Sequence, residues 1–135
     1  MIDVENAIFD FVAKRVREAF ARENILVSSE YTEFPARFPA ATIWEADNSV
    51  YEKMRTTRIE NAVKLLYEAN VYSNKTVYRK TEAQNIMNVI DGAFTELGFT
   101  RTLCQPVSNL MDEKIYRMLA RYEAVVDRDH WVYTH

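Results

Sequence analysis

Apolar and polar residues alternate along Ile59 to Asn74, IENAVKLLYEANVYSN. Val63, Leu65, Tyr67, Ala69 and Val71 fall on one face, with Lys64, Glu68 and Asn70 on the other, the period of a half-buried β-strand. Leu66 and Tyr72 interrupt the polar face. At about 3.3 Å per residue the stretch would reach roughly 50 Å, against a width near 40 Å for a compact domain of this length. A strand of that reach is expected to overrun the domain, bend at a bulge, or meet a neighbour.

A different period governs the N-terminal stretch. From Asp3 to about Asn24, Val4, Ile8, Val12, Val16, Ala19 and Phe20 recur at spacings of three and four, predicting an amphipathic helix with Asp3 as its N-cap. A second helix is expected from Thr81 to Leu97. Thr81 is its candidate N-cap, Glu82 stands in its first turn, and Ala83, Ile86, Met87, Ile90, Phe94 and Leu97 form its apolar stripe. Gly98 stops it where a left-handed residue is wanted. Gly92 lies inside the helix at a cost of about 1 kcal/mol relative to alanine, which close packing against the sheet or the first helix would explain.

The remaining pattern is β. Ile25 to Tyr31 reads as a short strand running into a loop that holds Pro35 and Pro39, and Ala40 to Ala46 as the next strand. There Ala41, Ile43 and Glu45 share one face and Thr42, Trp44 and Ala46 the other, so Trp44 is either core or a subunit contact. Phe99 to Gln105 is expected as a strand ending at Pro106. Ile115 to Val126 is expected as another, with Tyr116, Met118, Ala120, Tyr122, Ala124 and Val126 on one face, and Trp131 to Thr134 as a short final one. The whole predicts a single α+β domain over residues 1–135, with a mainly antiparallel sheet of four or five strands and two helices on one face.

The connection Asp47 to Arg58, DNSVYEKMRTTR, opens with turn-like residues, yet Val50, Tyr51 and Met54 are too apolar for an ordinary solvent loop. Either the strands continue outwards as a projecting hairpin or the segment orders on a partner. Lys53, Arg55 and Arg58 make it basic. Tyr51, Lys53, Met54, Arg55 and Arg58, with Trp44, are therefore the candidate contact residues.

Composition narrows the function classes. A net charge of −3 over 135 residues argues against a broad basic surface for nucleic acid. Lys14, Arg15, Arg17 and Arg22 on the first helix read as a solvated face. Cys104 is a lone cysteine, so an internal disulfide is excluded; it reads as a small core or interface side chain in a cytosolic protein. No apolar run approaches the length of a membrane span, and no secretory leader is evident. Catalytic constellations are weak. His130 and His135 are the two histidines, and Asp127, Asp129 and His130 form the best metal-like cluster, more simply read as a polar turn. The two glycines lie far from any phosphate-binding loop. No enzyme activity and no cofactor are expected, a small metal-dependent enzyme at Asp127, Asp129 and His130 being the minor alternative.

The order of elements, carried by FPARFPAATIWEADN, ENAVKLLYEANVYSNK, TEAQNIMNVIDGAFTELGFTR and IYRMLARYEAVVDRDHWVYT, resembles the tail-terminator and head-tail joining proteins of long-tailed bacteriophages and prophages. The resemblance implies a structural protein that forms a homo-hexameric ring on the tail tube, ends tube polymerisation and presents a surface for head joining. It implies contacts with itself, with the tail-tube protein and with a neck or head-completion protein. DNA would only pass through the lumen and no membrane would be involved. The location implied is the head-proximal end of the virion tail, assembled in the host cytoplasm. A neighbouring neck or minor tail component of similar fold is the alternative within the same class.

Overall fold

The computed structural model describes residues 3–50, 62–108 and 112–127, together with the backbone of 132 and 133. The chain runs α1 (Glu5–Ala19), β1 (Leu26–Ser28), β2 (Ala40–Val50), β3 (Ala62–Ser73), α2 (Arg79–Glu96), β4 (Thr100–Val107), β5 (Tyr116–Asp127) and β6 (Val132–Tyr133). The strands form one sheet in the order β1-β2-β3-β5-β4, with β6 also on β5. All pairings are antiparallel except β1 with β2. The expected α+β class holds. So does the strand number along the main path of five, to which the two-residue β6 adds beside β5.

β3 is the central strand. Its pairing with β2 runs from Val63 to Tyr72 and with β5 from Ala62 to Ser73. Its twelve described residues span about 40 Å at the usual rise, which is the width of the domain, so this part of the strand does not overrun it. Nor does it carry the bulge; that irregularity lies in β2, between Glu45 and Asp47. Past the bulge β2 continues to Val50, opposite Val63. Asp47, Asn48 and Ser49 are thus strand residues, where their composition suggested a turn, because pairing with β3 supplies the backbone partners that such residues otherwise find in turns.

Both helices cover one sheet face. Val63, Leu65, Tyr67, Ala69 and Val71 of β3, Ala41 and Ile43 of β2, and Met118, Ala120, Tyr122, Ala124 and Val126 of β5 meet Ile8, Val12 and Val16 of α1 and Ala83, Ile86, Ile90 and Phe94 of α2 in one core. Four rings lie at its centre. Phe94 stacks on Tyr122 with centroids 4.3 Å apart and meets Phe99 edge-on at 5.2 Å, while Tyr67 lies 5.6 Å from both phenylalanines. Tyr122 reaches out of this layer to donate to Asp91 Oδ1 at 3.0 Å.

The helix ends depart from the expected caps. Asp3 accepts from the Glu5 backbone N–H at 3.1 Å, although the residue preceding α1 is Val4. α2 starts ahead of Thr81, after Tyr78, whose backbone is left-handed at φ 66°. Its first turn is fixed by Glu82. The carboxylate is buried, accepts from Ser73 Oγ at 2.7 Å and pairs with Lys75 at 3.2 Å, tying the helix start to the end of β3. Gly98 takes φ 90° after α2, as expected. Gly92 corrects the packing explanation, because a Cβ built there would meet nothing within 4 Å. Gly92→Ala should therefore stabilise the fold by about 0.5–1 kcal/mol through backbone entropy alone, measurable as a raised urea midpoint with an unchanged slope.

β4 continues through Pro106 to Val107, a position that an edge strand tolerates because proline's missing donor takes nothing from an outer neighbour. Cys104 on this strand is exposed, which corrects the core half of its reading as a small core or interface side chain.

Candidate interaction surfaces

The sheet face turned away from the helices was expected to be the polar, solvated side. It is largely buried. Glu68 is 8% exposed, while Asn70, Tyr72 and Ser73 are fully covered. The cover is the β1–β2 connection, in place of a helix. Tyr72 donates its phenolic hydrogen to the Thr32 carbonyl. The Arg117 guanidinium lies 5.5 Å from the Tyr31 ring centroid and 5.6 Å from that of Tyr72, and Tyr31 lies 6.0 Å from Trp44. Ala40, Tyr72 and Ile115, with Leu26 and Phe38 against them, form a small second core.

Polar residues in this layer satisfy one another. Arg117 donates from Nε and Nη2 to Asn70 Oδ1 at 3.0 and 2.8 Å. Asn70 Nδ2 donates to Glu68 Oε2 at 3.3 Å, and Arg121 Nε donates to Glu68 Oε1 at 3.4 Å. Arg121 stands directly opposite Glu68, Arg117 reaches Asn70 diagonally from its place opposite Tyr72, and Asn70 and Glu68 are next-but-one neighbours on β3. Burial pushes the Tyr72 phenol up to about 12, against the pull of Arg117 in the other direction. The chemistry here is structural, two cations and one carboxylate held around a buried amide. Two apolar side chains at its rim face outwards, Tyr31 and Phe34.

Trp44 belongs to this second face and is half-buried, which removes it from the helix-covered core. Its indole Nε1 is sealed from solvent with no acceptor among the described residues. Tyr51, Lys53, Met54, Arg55 and Arg58 lie outside the described residues, as do Asp129 and His130. Asp127 closes β5. Among the described residues no group of three His, Cys, Asp or Glu side chains is placed to hold a metal ion, and no helix is long and apolar enough to cross a membrane. The bases of α1 are partly engaged. Arg15 pairs with Glu96 at 2.7 Å, and Arg17 donates to the Val27 carbonyl at 3.2 Å.

A second surface lies on the helix side, where β2 passes the start of α1. Glu45 sits opposite Tyr67 in the β2–β3 register. Glu45 Oε1 and the Tyr67 hydroxyl are both sealed from solvent without a hydrogen-bond partner among the described residues. Burial, then the charges of Glu5, Asp3 and Asp47, push the Glu45 carboxyl up to about 7. Burial and the nearby Glu45 push the Tyr67 phenol far up as well, as burial and Asp91 do for Tyr122. Three other acids thus act on Glu45: Asp3 just ahead of α1, Glu5 in its first turn, and Asp47 on β2. Sequence patterning placed Glu45 on the same face as Ile43 but did not mark it as functional. The available signal was an acid at an inward strand position, two residues from a fully buried isoleucine.

Fold and surfaces together define an α+β protein in which one sealed carboxylate oxygen, Glu45 Oε1, has no hydrogen-bond partner among the described residues. Compared with known protein families and with curated proteins, the chain matches none.

Proposed function

We propose that this chain is a structural subunit of a long-tailed phage or prophage, of the tail-terminator type, which closes into a ring on the tail tube and ends its growth. The observation that carries the proposal is the pairing of β2 with β3, which resumes past the bulge and runs out to Val50 and Val63. Val50 and Ala62 end the two strands on the same side of the central hairpin, and the basic, Tyr- and Met-containing stretch that joins them in sequence supplies the contact with a neighbour in this reading. A heterologous contact of that kind closes into a ring when its rotation allows. The short β1 and the exposed β4 leave strand edges available on both sides of the sheet. Ring formation needs no bond chemistry, in keeping with surfaces built of aromatic and charged groups.

Native mass measurement over a concentration series, alone and with tail-tube subunits, tests this reading. A six-fold species that halts tube elongation is the expected result. A strict monomer at high concentration, also in the presence of tubes, would sink it. A ring that leaves elongation untouched would point to a neck component. Replacing Lys53, Arg55 and Arg58 together by alanine should leave the monomer folded, by circular dichroism and melting temperature, and weaken assembly about tenfold or more.

A further inference from the structure

We propose that the carboxylates of Glu45, Glu5, Asp3 and Asp47 form the receptor for a cationic segment of a second copy of this chain, namely the stretch bearing Lys53, Arg55 and Arg58. The inference rests on the ring-forming reading above and names the surface that such an arm would enter.

Two observations lead there independently of the charge count. The Tyr67 hydroxyl is fully buried, its residue pairs with Glu45 in the β2–β3 register, and neither it nor Glu45 Oε1 has a partner among the described residues. Natural interiors leave few such groups unsatisfied, and each one calls for an explanation. A guanidinium or ammonium brings several donors and a charge at once, so it can satisfy the carboxylate and offset the repulsion among the four acids. A metal ion fits less well, since no three of these acids are placed to share one among the described residues.

The first turn of α1 has an apolar side too. A cavity of about 210 Å³ is lined by Val4, Ala7, Phe11, Leu97, Phe99 and Val126. Acids and an apolar recess therefore both adjoin the start of α1. The occupant that matches is a segment in which cations and large apolar side chains alternate. Tyr51, Lys53, Met54 and Arg55 have that composition. The stretch follows Val50, which lies on the far side of the β2 bulge from Glu45, so the cation is assigned to the neighbouring copy.

Proton linkage supplies a distinctive readout. The groups around Glu45 are Asp3 just ahead of α1, Glu5 of α1, Asp47 of β2 and Tyr67 of β3. In the free chain Glu45 holds its proton up to about pH 7. The cation binds the ionised form, so assembly must release that proton at lower pH. Association is then expected to strengthen from pH 5 to pH 8 and to level off above. Stability of the free chain should move oppositely, because the raised folded pKa favours folding most below the ordinary carboxylate pKa and loses that advantage as pH rises towards 7.

The experiment compares wild type, Glu45→Gln, the Lys53, Arg55, Arg58 triple alanine variant, and their combination, by sedimentation from pH 5 to 8 with melting curves alongside. Glu45→Gln should melt no lower than wild type at pH 7.5, yet assemble about tenfold more weakly and lose the pH dependence. Combined with the triple variant it should add little further loss. Wild-type assembly by Glu45→Gln, or independent additive losses, would overturn this inference and leave the ring reading intact. A wild type that never assembles overturns both.

Discussion

Phe94→Ala should cost about 3–5 kcal/mol of folding free energy and lower the melting temperature by roughly 10–20 °C. Phe94 is fully buried and touches three other rings, with Tyr122 stacked on it almost in parallel at 12°. Removing it leaves a void that neither neighbour can enter cheaply. Tyr122 is held through Asp91, which also pairs with Arg101 at 3.3 Å. Tyr67 lies in the interior of the central strand, with β2 and β5 on either side of it. The transfer term and the cavity term should therefore both appear in full. Urea unfolding at constant slope is the measurement, and a loss below about 1 kcal/mol would mean that the cluster repacks. Phe94→Leu serves as a control, since it retains most of the apolar volume and should cost clearly less.

Much of this core was legible before any coordinates, because one face of each strand had to be apolar. The alternation along β3 and β5 places Tyr67 and Tyr122 inwards, and the stripe of α2 places Phe94 against them. What the pattern could not convey was the second layer. Glu68 and Asn70 look like solvent-facing residues when read along one strand, and only the β3–β5 register shows that Arg117 and Arg121 stand beside them. Burial of a polar group depends on a partner distant in sequence, and periodicity carries no information about that partner. The same limit applies to Glu45. Its inward position follows from Ile43, but the convergence of Asp3 and Glu5 on it requires α1 to cross β2. Local chemistry misled where tertiary structure supplied a substitute. Asp47, Asn48 and Ser49 lie in a strand because β3 pairs with them, and Thr81 is displaced as a cap because Glu82 is anchored by Ser73 and Lys75.

Asn70→Ala should have the largest effect on the second face, about 2 kcal/mol. The amide is fully buried and is the only described partner to which Arg117 donates hydrogen bonds. Its loss removes two charge-assisted hydrogen bonds and the donor to Glu68 Oε2 in a single step. Arg117 is half-buried, so its guanidinium can swing towards water, which holds the penalty below that of a fully trapped charge. That movement would withdraw the cation from Tyr31 and leave Tyr72 with less to hold the loop over the sheet. Limited trypsin digestion should then cut faster at Arg37, an exposed residue of the loop that donates to the Asn24 carbonyl at 3.2 Å. Asn70→Asp separates charge from geometry. It keeps the acceptors for Arg117 but turns the donor facing Glu68 into a second carboxylate, so it should fail to restore wild-type stability at neutral pH and improve as the solution is acidified and one of the two acids takes up a proton. Equal stability of Asn70→Asp and wild type at pH 7 would mean that the Glu68 contact contributes nothing, and that the second face is held by Arg117 and its two tyrosines alone.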